Sequence, residues 1–149
     1  ENNILFEFDN TKVVSRLIEG EYFRINHMLS VDYQIKMKIN KREFLDSLDR
    51  ATLLIKESDK KPIRLSIEDR NLGLKISSLI GSLNDEIDIE KEGNNLVIGF
   101  NPKLIIDALR VIDDENVTIY FNNTKSPCVI KDDAGSYIYL ILPMGINEE

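Results

Sequence analysis

The sequence predicts an α+β domain built from two copies of a β-α-β-β-β unit, with two helices on one face of antiparallel sheets. The first supporting observation is an internal repeat: INKREFLDSL at 39–48 aligns with FNPKLIIDAL at 100–109, an offset of 61 residues. Asn40 falls on Asn101, Arg42 on Lys103, Phe44-Leu45 on Ile105-Ile106, Asp46 on Asp107 and Leu48 on Leu109. A period of that length is one supersecondary unit per copy, not a solenoid array. The second observation is the period-2 alternation of apolar residues around both helical segments, and the third is a start signal ahead of each helix.

Taken in order, residues 3–8 and 12–18 read as two strands joined at Asp9-Asn10, whose side chains tolerate left-handed backbone. Two strands make no core of their own, so this hairpin either joins the main sheet or ends a neighbouring domain; the second reading is preferred. Residues 19–32 lack a clear period and read as a connector. Tyr33, Ile35, Met37 and Ile39 then alternate with polar residues as a half-buried strand. Asn40 is an N-cap with Glu43 three positions on, and Phe44, Leu48, Ala51 and Ile55 form the buried stripe of a helix over 41–55. Strands follow around Ile63–Ile67, Leu72–Ile76 and Ile87–Ile89. The second copy opens with a strand at Leu96-Ile98-Phe100, then a helix capped by Asn101 with Pro102 at its first position and Ile105, Ile106, Leu109 and Ile112 buried. Strands at Val117–Phe121, Cys128–Ile130 and Tyr137–Leu142 complete it. The last, YIYLIL, does not alternate, which implies burial on both faces or one face left apolar for a partner.

A chain of 149 residues with 42% hydrophobic content supports one sizeable core. Its net charge of −7 argues against a surface that attracts nucleic acid everywhere. One cysteine excludes an internal disulfide framework and fits a reducing compartment. No apolar run approaches the roughly 20 residues of a membrane-spanning helix. The chain reads as soluble and cytoplasmic.

Enzymatic chemistry has little to rest on. His27 is the sole histidine and sits in the connector; Cys128 lies in a predicted strand, where a buried inert thiol is the better reading. The carboxylate pairs Asp113-Asp114-Glu115 and Asp85-Glu86 read as solvated loops beside turns, and no glycine spacing makes a phosphate loop. No cofactor or metal is implied. The helices carry Lys41, Arg42, Arg50, Lys56, Lys103 and Arg110 against Glu43, Asp46, Asp49 and Asp107, a slightly positive layer on an acidic chain.

Together SRLIEGEYFRI (15–25), REFLDSLDRATLL (42–54), IGFNPKLIIDALRVIDDENV (98–117), SPCVI (126–130) and YLILPM (139–144) resemble the bacterial DNA polymerase III beta subunits, the sliding clamps. The motifs occur in the family's order and cover nearly the whole chain. The resemblance implies a DNA-clamp-like fold: residues 1–32 would be the last hairpin and connector of a second clamp domain, and 33–149 the third. It further implies a non-catalytic processivity factor, a homodimeric ring when full length, with helices lining a hole that encircles duplex DNA. Lys41, Arg42, Arg50, Lys103 and Arg110 would face that DNA.

By the same resemblance, an apolar cleft would capture short linear motifs of polymerase, clamp loader and repair proteins. The matching positions are His27, Met28, Asn101, Leu104, Lys125, Pro127, Leu140, Ile141, Leu142, Pro143 and Met144. The chain departs from the family pattern at Phe23 and His27, where Pro and Arg are usual, at Leu104, where Tyr is common, and at Gly145, a frequent Arg. Leu53, Leu54 and Glu86 match the family's subunit interface, with a plain core role the alternative for Leu53. A reading from a different class is a free-standing intracellular peptide-binding α+β domain with no DNA role.

Overall fold

Asp9 adopts φ 49°, a left-handed conformation that aspartate tolerates, and in the computed structural model it turns β1 (Asn3–Phe8) back on β2 (Thr11–Arg16). The structure describes residues 2–22, 29, 32–55 and 61–146, in two compact units, Glu1–Val31 and Asp32–Glu149. In the first unit the two strands pair antiparallel from Asn3↔Arg16 to Phe8↔Thr11, and Glu7 bonds Lys12 across the pair at 3.1 Å. The hairpin buries no core of its own: Phe6 is 49% and Val14 65% exposed. β2 ends at Arg16, two residues short of the expected Ile18.

The second unit begins with β3 (Ile35–Asn40), whose Ile35, Met37 and Ile39 are buried and whose intervening lysines are not. Asn40 stays extended and its side-chain oxygen accepts from the Glu43 N–H at 3.1 Å, opening α1 (Lys41–Thr52). The helix stops short of the expected residue 55. Leu53, Leu54 and Ile55 donate instead to carbonyls three residues back, the tightened last turn that satisfies otherwise orphaned acceptors. Next come β4 (Ile63–Ile67), β5 (Asn71–Ser78), β6 (Gly81–Gly93) and β7 (Leu96–Phe100). Asn101 accepts from the Lys103 N–H at 3.1 Å and Pro102 opens α2 (Pro102–Arg110). β8 (Asn116–Phe121), β9 (Cys128–Lys131) and β10 (Ile138–Ile141) end the series.

The strands form one antiparallel sheet in the order β10-β9-β8-β3-β6-β5-β4-β7. The two copies interlock through their first strands, since β3 lies between β6 of its own copy and β8 of the other, and β7 lies against β4 of the other. Neither copy is therefore a separable domain. β6 joins the halves, pairing with β5 over Gly81–Asp88 and with β3 over Ile89–Gly93. Opposite it, the sheet's ends meet at one bridge only, where the Met144 N–H donates to the Gly99 carbonyl at 2.8 Å.

The helices pack against each other and cover the sheet with Phe44, Leu48, Ala51, Ile105, Ile106 and Leu109, all buried. The Phe100 and Phe121 rings, from β7 and β8, lie 6.4 Å apart in the shared core. Each such large side chain contributes about 1.5–3 kcal/mol on full burial.

β6 is much longer than the Ile87–Ile89 expected. The reason is Asp85, which occupies an inward position between Leu83 and Ile87 where alternation calls for an apolar residue. Its carboxylate accepts from Ser47 Oγ at 2.8 Å and pairs with Arg50. The expectation that Asp85-Glu86 is a solvated loop is thus overturned: both are in a strand, and Asp85 is tied to α1.

Candidate partner groove, helix face and strand edge

α2 buries one stripe and turns Leu104 outward, 47% exposed, because Leu104 falls beside rather than on the Ile105-Leu109 stripe. β10 lies alongside as the outermost strand, held through Tyr139↔Ile130 and Leu140↔Val129 on β9. Between them runs a groove of about 390 Å³ lined by Leu104, Asp107, Ala108, Tyr139, Leu140, Ile141 and Leu142. Ile141 is buried and forms the floor, whereas Leu142 is 60% exposed at the rim. The unbroken apolar run therefore faces solvent on one side and is not buried on both.

Pro143 ends β10 by withholding a backbone donor, and the chain then crosses to β7. Met144, Gly145 and Ile146 line a second groove, of about 510 Å³, together with Lys125, Arg64, Val97, Ile98 and Gly99. This crossing depends on Gly99. A Cβ there would stand 2.7 Å from the Met144 carbonyl oxygen and 2.5 Å from Ile146 Cγ2.

Of the eleven positions assigned to the cleft, Leu104, Leu140, Ile141 and Leu142 meet in the first groove, and Lys125 and Met144 in the second. Asn101 spends its side-chain oxygen on the α2 cap. Pro127 is half-buried ahead of β9, beside a loop in which Asn123 Oδ1 accepts from the Lys125 and Ser126 N–H groups at 2.9 Å each. His27 and Met28 lie outside the described residues.

On the helix face, three of the five predicted cations are engaged within the chain. Arg50 pairs with Asp85, Arg110 with Asp49 at 3.1 Å, and Lys41 Nζ donates to the Ile112 carbonyl. Arg42 and Lys103, equivalent positions of the repeat, are exposed. Hydrogen bonds from Arg50 and Ser47 hold the Asp85 carboxyl below its ordinary range. Cys128 is 2% exposed, and burial pushes its thiol up to about 12, so the thiolate is not accessible at neutral pH.

At the end of α1, Leu53 is 78% exposed, which excludes a core role, while Leu54 packs half-buried against the core. Glu86 is exposed on β6, whose Gly81–Asp88 segment pairs with β5 on one side only. Leu79 (98% exposed) and Ile80 (62%) cap the adjoining β5–β6 turn.

The family model for the DNA polymerase III beta subunit, C-terminal domain, matches residues 27–145. The chain belongs to that family. It is 38% identical over 148 residues to the beta sliding clamp of Staphylococcus aureus, a match covering 96% of the chain and 39% of that protein. A putative DNA polymerase III beta subunit from Eubacterium rectale superposes with a TM-score of 0.89 at 64% identity, over 96% of the chain and 39% of its own. The Bacillus subtilis DNA polymerase sliding clamp gives a TM-score of 0.86 at 30% identity, over 99% and 40%. The chain thus spans about two-fifths of the length of these relatives.

Several groove residues of this beta-subunit domain carry no motif of their own. Asp107 and Ala108 join the first groove because they follow Leu104 by three and four positions on one helix face. That signal was legible once Leu104 was singled out. Arg64 and Val97 reach the second groove only through β4–β7 pairing, and the Leu79-Ile80 turn beside Leu54 follows only from where the β5–β6 hairpin ends.

Proposed function

We propose that this chain is the C-terminal part of a cytoplasmic, non-catalytic processivity factor, a ring-forming sliding clamp. Residues 1–32 end its second domain and 33–149 form its third. The assembled ring encircles duplex DNA and tethers polymerase, clamp loader and repair proteins by their short linear motifs. Family membership supports the clamp role, and the observation that carries the tethering role in this chain is the open apolar groove of Leu104, Tyr139, Leu140 and Leu142. An exposed groove with a single carboxylate in its lining suits leucine and phenylalanine side chains, each contributing about 1.5–3 kcal/mol when fully buried before ordering costs. His27, Met28 and Pro143 belong to the same cleft in this reading.

DNA is held by topology. Arg42 and Lys103 make the phosphate contacts open to them, and Lys41, Arg50 and Arg110 serve the helix layer first. Leu53, Leu54 and Glu86 form the subunit interface, where an unpaired strand edge, the exposed Leu53 and the half-buried Leu54 receive the partner subunit.

Calorimetric titration of the chain with a short peptide carrying leucine and phenylalanine anchors tests the tethering role. Binding is expected at roughly 10 µM or weaker, and Leu142→Ala with Met144→Ala abolishes it while circular dichroism stays native. Undiminished binding by the folded double variant would place the peptide elsewhere.

A further inference from the structure

The second groove carries a charge pattern that packing does not explain. Its charged lining residues are Arg64 and Lys125, with no carboxylate among them. Arg64 is half-buried on β4, and the residue directly opposite it on β5 is Lys75. Like charges facing each other across a ladder destabilise a sheet, and this pair stands in a chain whose net charge is −7. Several other cations are matched to carboxylates. Lys36 pairs with Glu92, Lys38 with Glu90, Lys91 with Asp69 and Arg110 with Asp49. Among the described residues no carboxylate pairs with Arg64, Lys75 or Lys125. A half-buried guanidinium that faces Lys75 across the ladder and lines an open groove with Lys125 is a preformed donor site for carboxylates.

Gly99 and the C-terminal strand place this donor site next to the apolar groove. Leu142 rims one groove and Met144 the other, two residues of extended chain or about 6.6 Å apart. A bound peptide long enough to pass Pro143 reaches both.

We propose that the Arg64 groove binds acidic residues that flank the apolar anchors of a partner peptide, making the site a two-part reader of hydrophobic anchors and adjacent negative charge. The proposal rests on the peptide reading above. Its ligand class is the side-chain carboxylate of a partner protein.

The test uses the whole chain and an acetylated hexapeptide with leucine and phenylalanine anchors, alone or extended at either end by three aspartates, read by fluorescence anisotropy. One extension is expected to tighten binding about fivefold or more in low salt, with the gain fading near 0.5 M salt. Arg64→Gln with Lys75→Gln removes the gain and leaves the affinity of the unextended peptide in place, and Arg64→Lys with Lys75 intact retains most of it. No gain at either end, or an equal gain in the Gln variant, overturns the proposal. If the unextended peptide does not bind, the tethering reading fails by itself. Triaspartate then probes the groove through the amide resonances of Gly99 and Gly145: shifts in the wild type that vanish in the Gln variant support it, and no shift overturns it. A gain that appears only after deletion of residues 147–149 assigns the groove to the chain's own Glu148 and Glu149 and also overturns the proposal.

Discussion

Arg110 and Asp49 meet at 3.1 Å, and they occupy the same position in the two copies of the repeat, 61 residues apart. A residue that touches its own equivalent lies beside the axis relating the copies, so the pseudo-two-fold axis passes between the C-terminal turns of α1 and α2. An undiverged duplication would put like charges face to face there. Divergence to Asp in one copy and Arg in the other converts repulsion into an ion pair.

Reversing one partner should restore the repulsion. Arg110→Glu is expected to lower stability by about 0.5–1 kcal/mol, a modest figure because both side chains are roughly half exposed. The double exchange Asp49→Arg with Arg110→Asp recovers most of the loss. Urea unfolding of the four proteins as a double-mutant cycle measures the coupling, which shrinks in 0.5 M salt.

Asp85 makes stability depend on pH. Its carboxyl is held below the ordinary 3.8, first by the Arg50 hydrogen bond and then by Ser47. A depressed folded-state pKa means the unfolded chain takes up the proton first as pH falls. The stabilisation is thus complete above the unfolded value and is lost as pH drops through the folded one. Asp85→Asn should cost about 1–2 kcal/mol at pH 7, with the difference from wild type narrowing below about pH 4. A constant difference across that range would show that the ionised form is not what matters.

Gly99 is the hinge on which the C-terminal wall rests. Gly99→Ala places a methyl within 2.7 Å of the Met144 carbonyl, so residues 144–146 must move. An overpacking cost of about 1–3 kcal/mol is expected, together with weaker peptide binding because Leu142 and Met144 shift. Urea midpoints and the calorimetric titration read the two effects separately.

Cys128 should be unreactive in the native chain. With its thiol buried and pushed up to about 12, a chromogenic disulfide reagent at pH 8 is expected to leave it untouched over minutes and to titrate one thiol at once in 6 M urea. Rapid native reaction would mean that β9 and β10 open readily.

Much of the fold could be read from local pattern. Asn40 and Asn101 cap helices because an asparagine oxygen reaches the next free N–H whatever surrounds it, and Ile35, Met37 and Ile39 alternate because a pleated strand has two faces. Asp85 breaks the alternation of β6, so local pattern marks only Ile87–Ile89 as strand, and its inward place makes sense only with Ser47 and Arg50 set against it.

The sequence by itself determined the duplicated β-α-β-β-β units, the start of both helices, the buried stripes and the family resemblance, all of which rest on spacings of a few residues or on order along the chain. Tertiary structure decided the rest: that β3 and β7 each pair with a strand of the other copy, that Arg110 finds Asp49, that Arg50 is spent on Asp85, and that Arg64 stands opposite Lys75 and lines one groove with Met144. These depend on strand register and on which residues the closing of the sheet brings together across long sequence separations, and no local periodicity encodes a partner that far away.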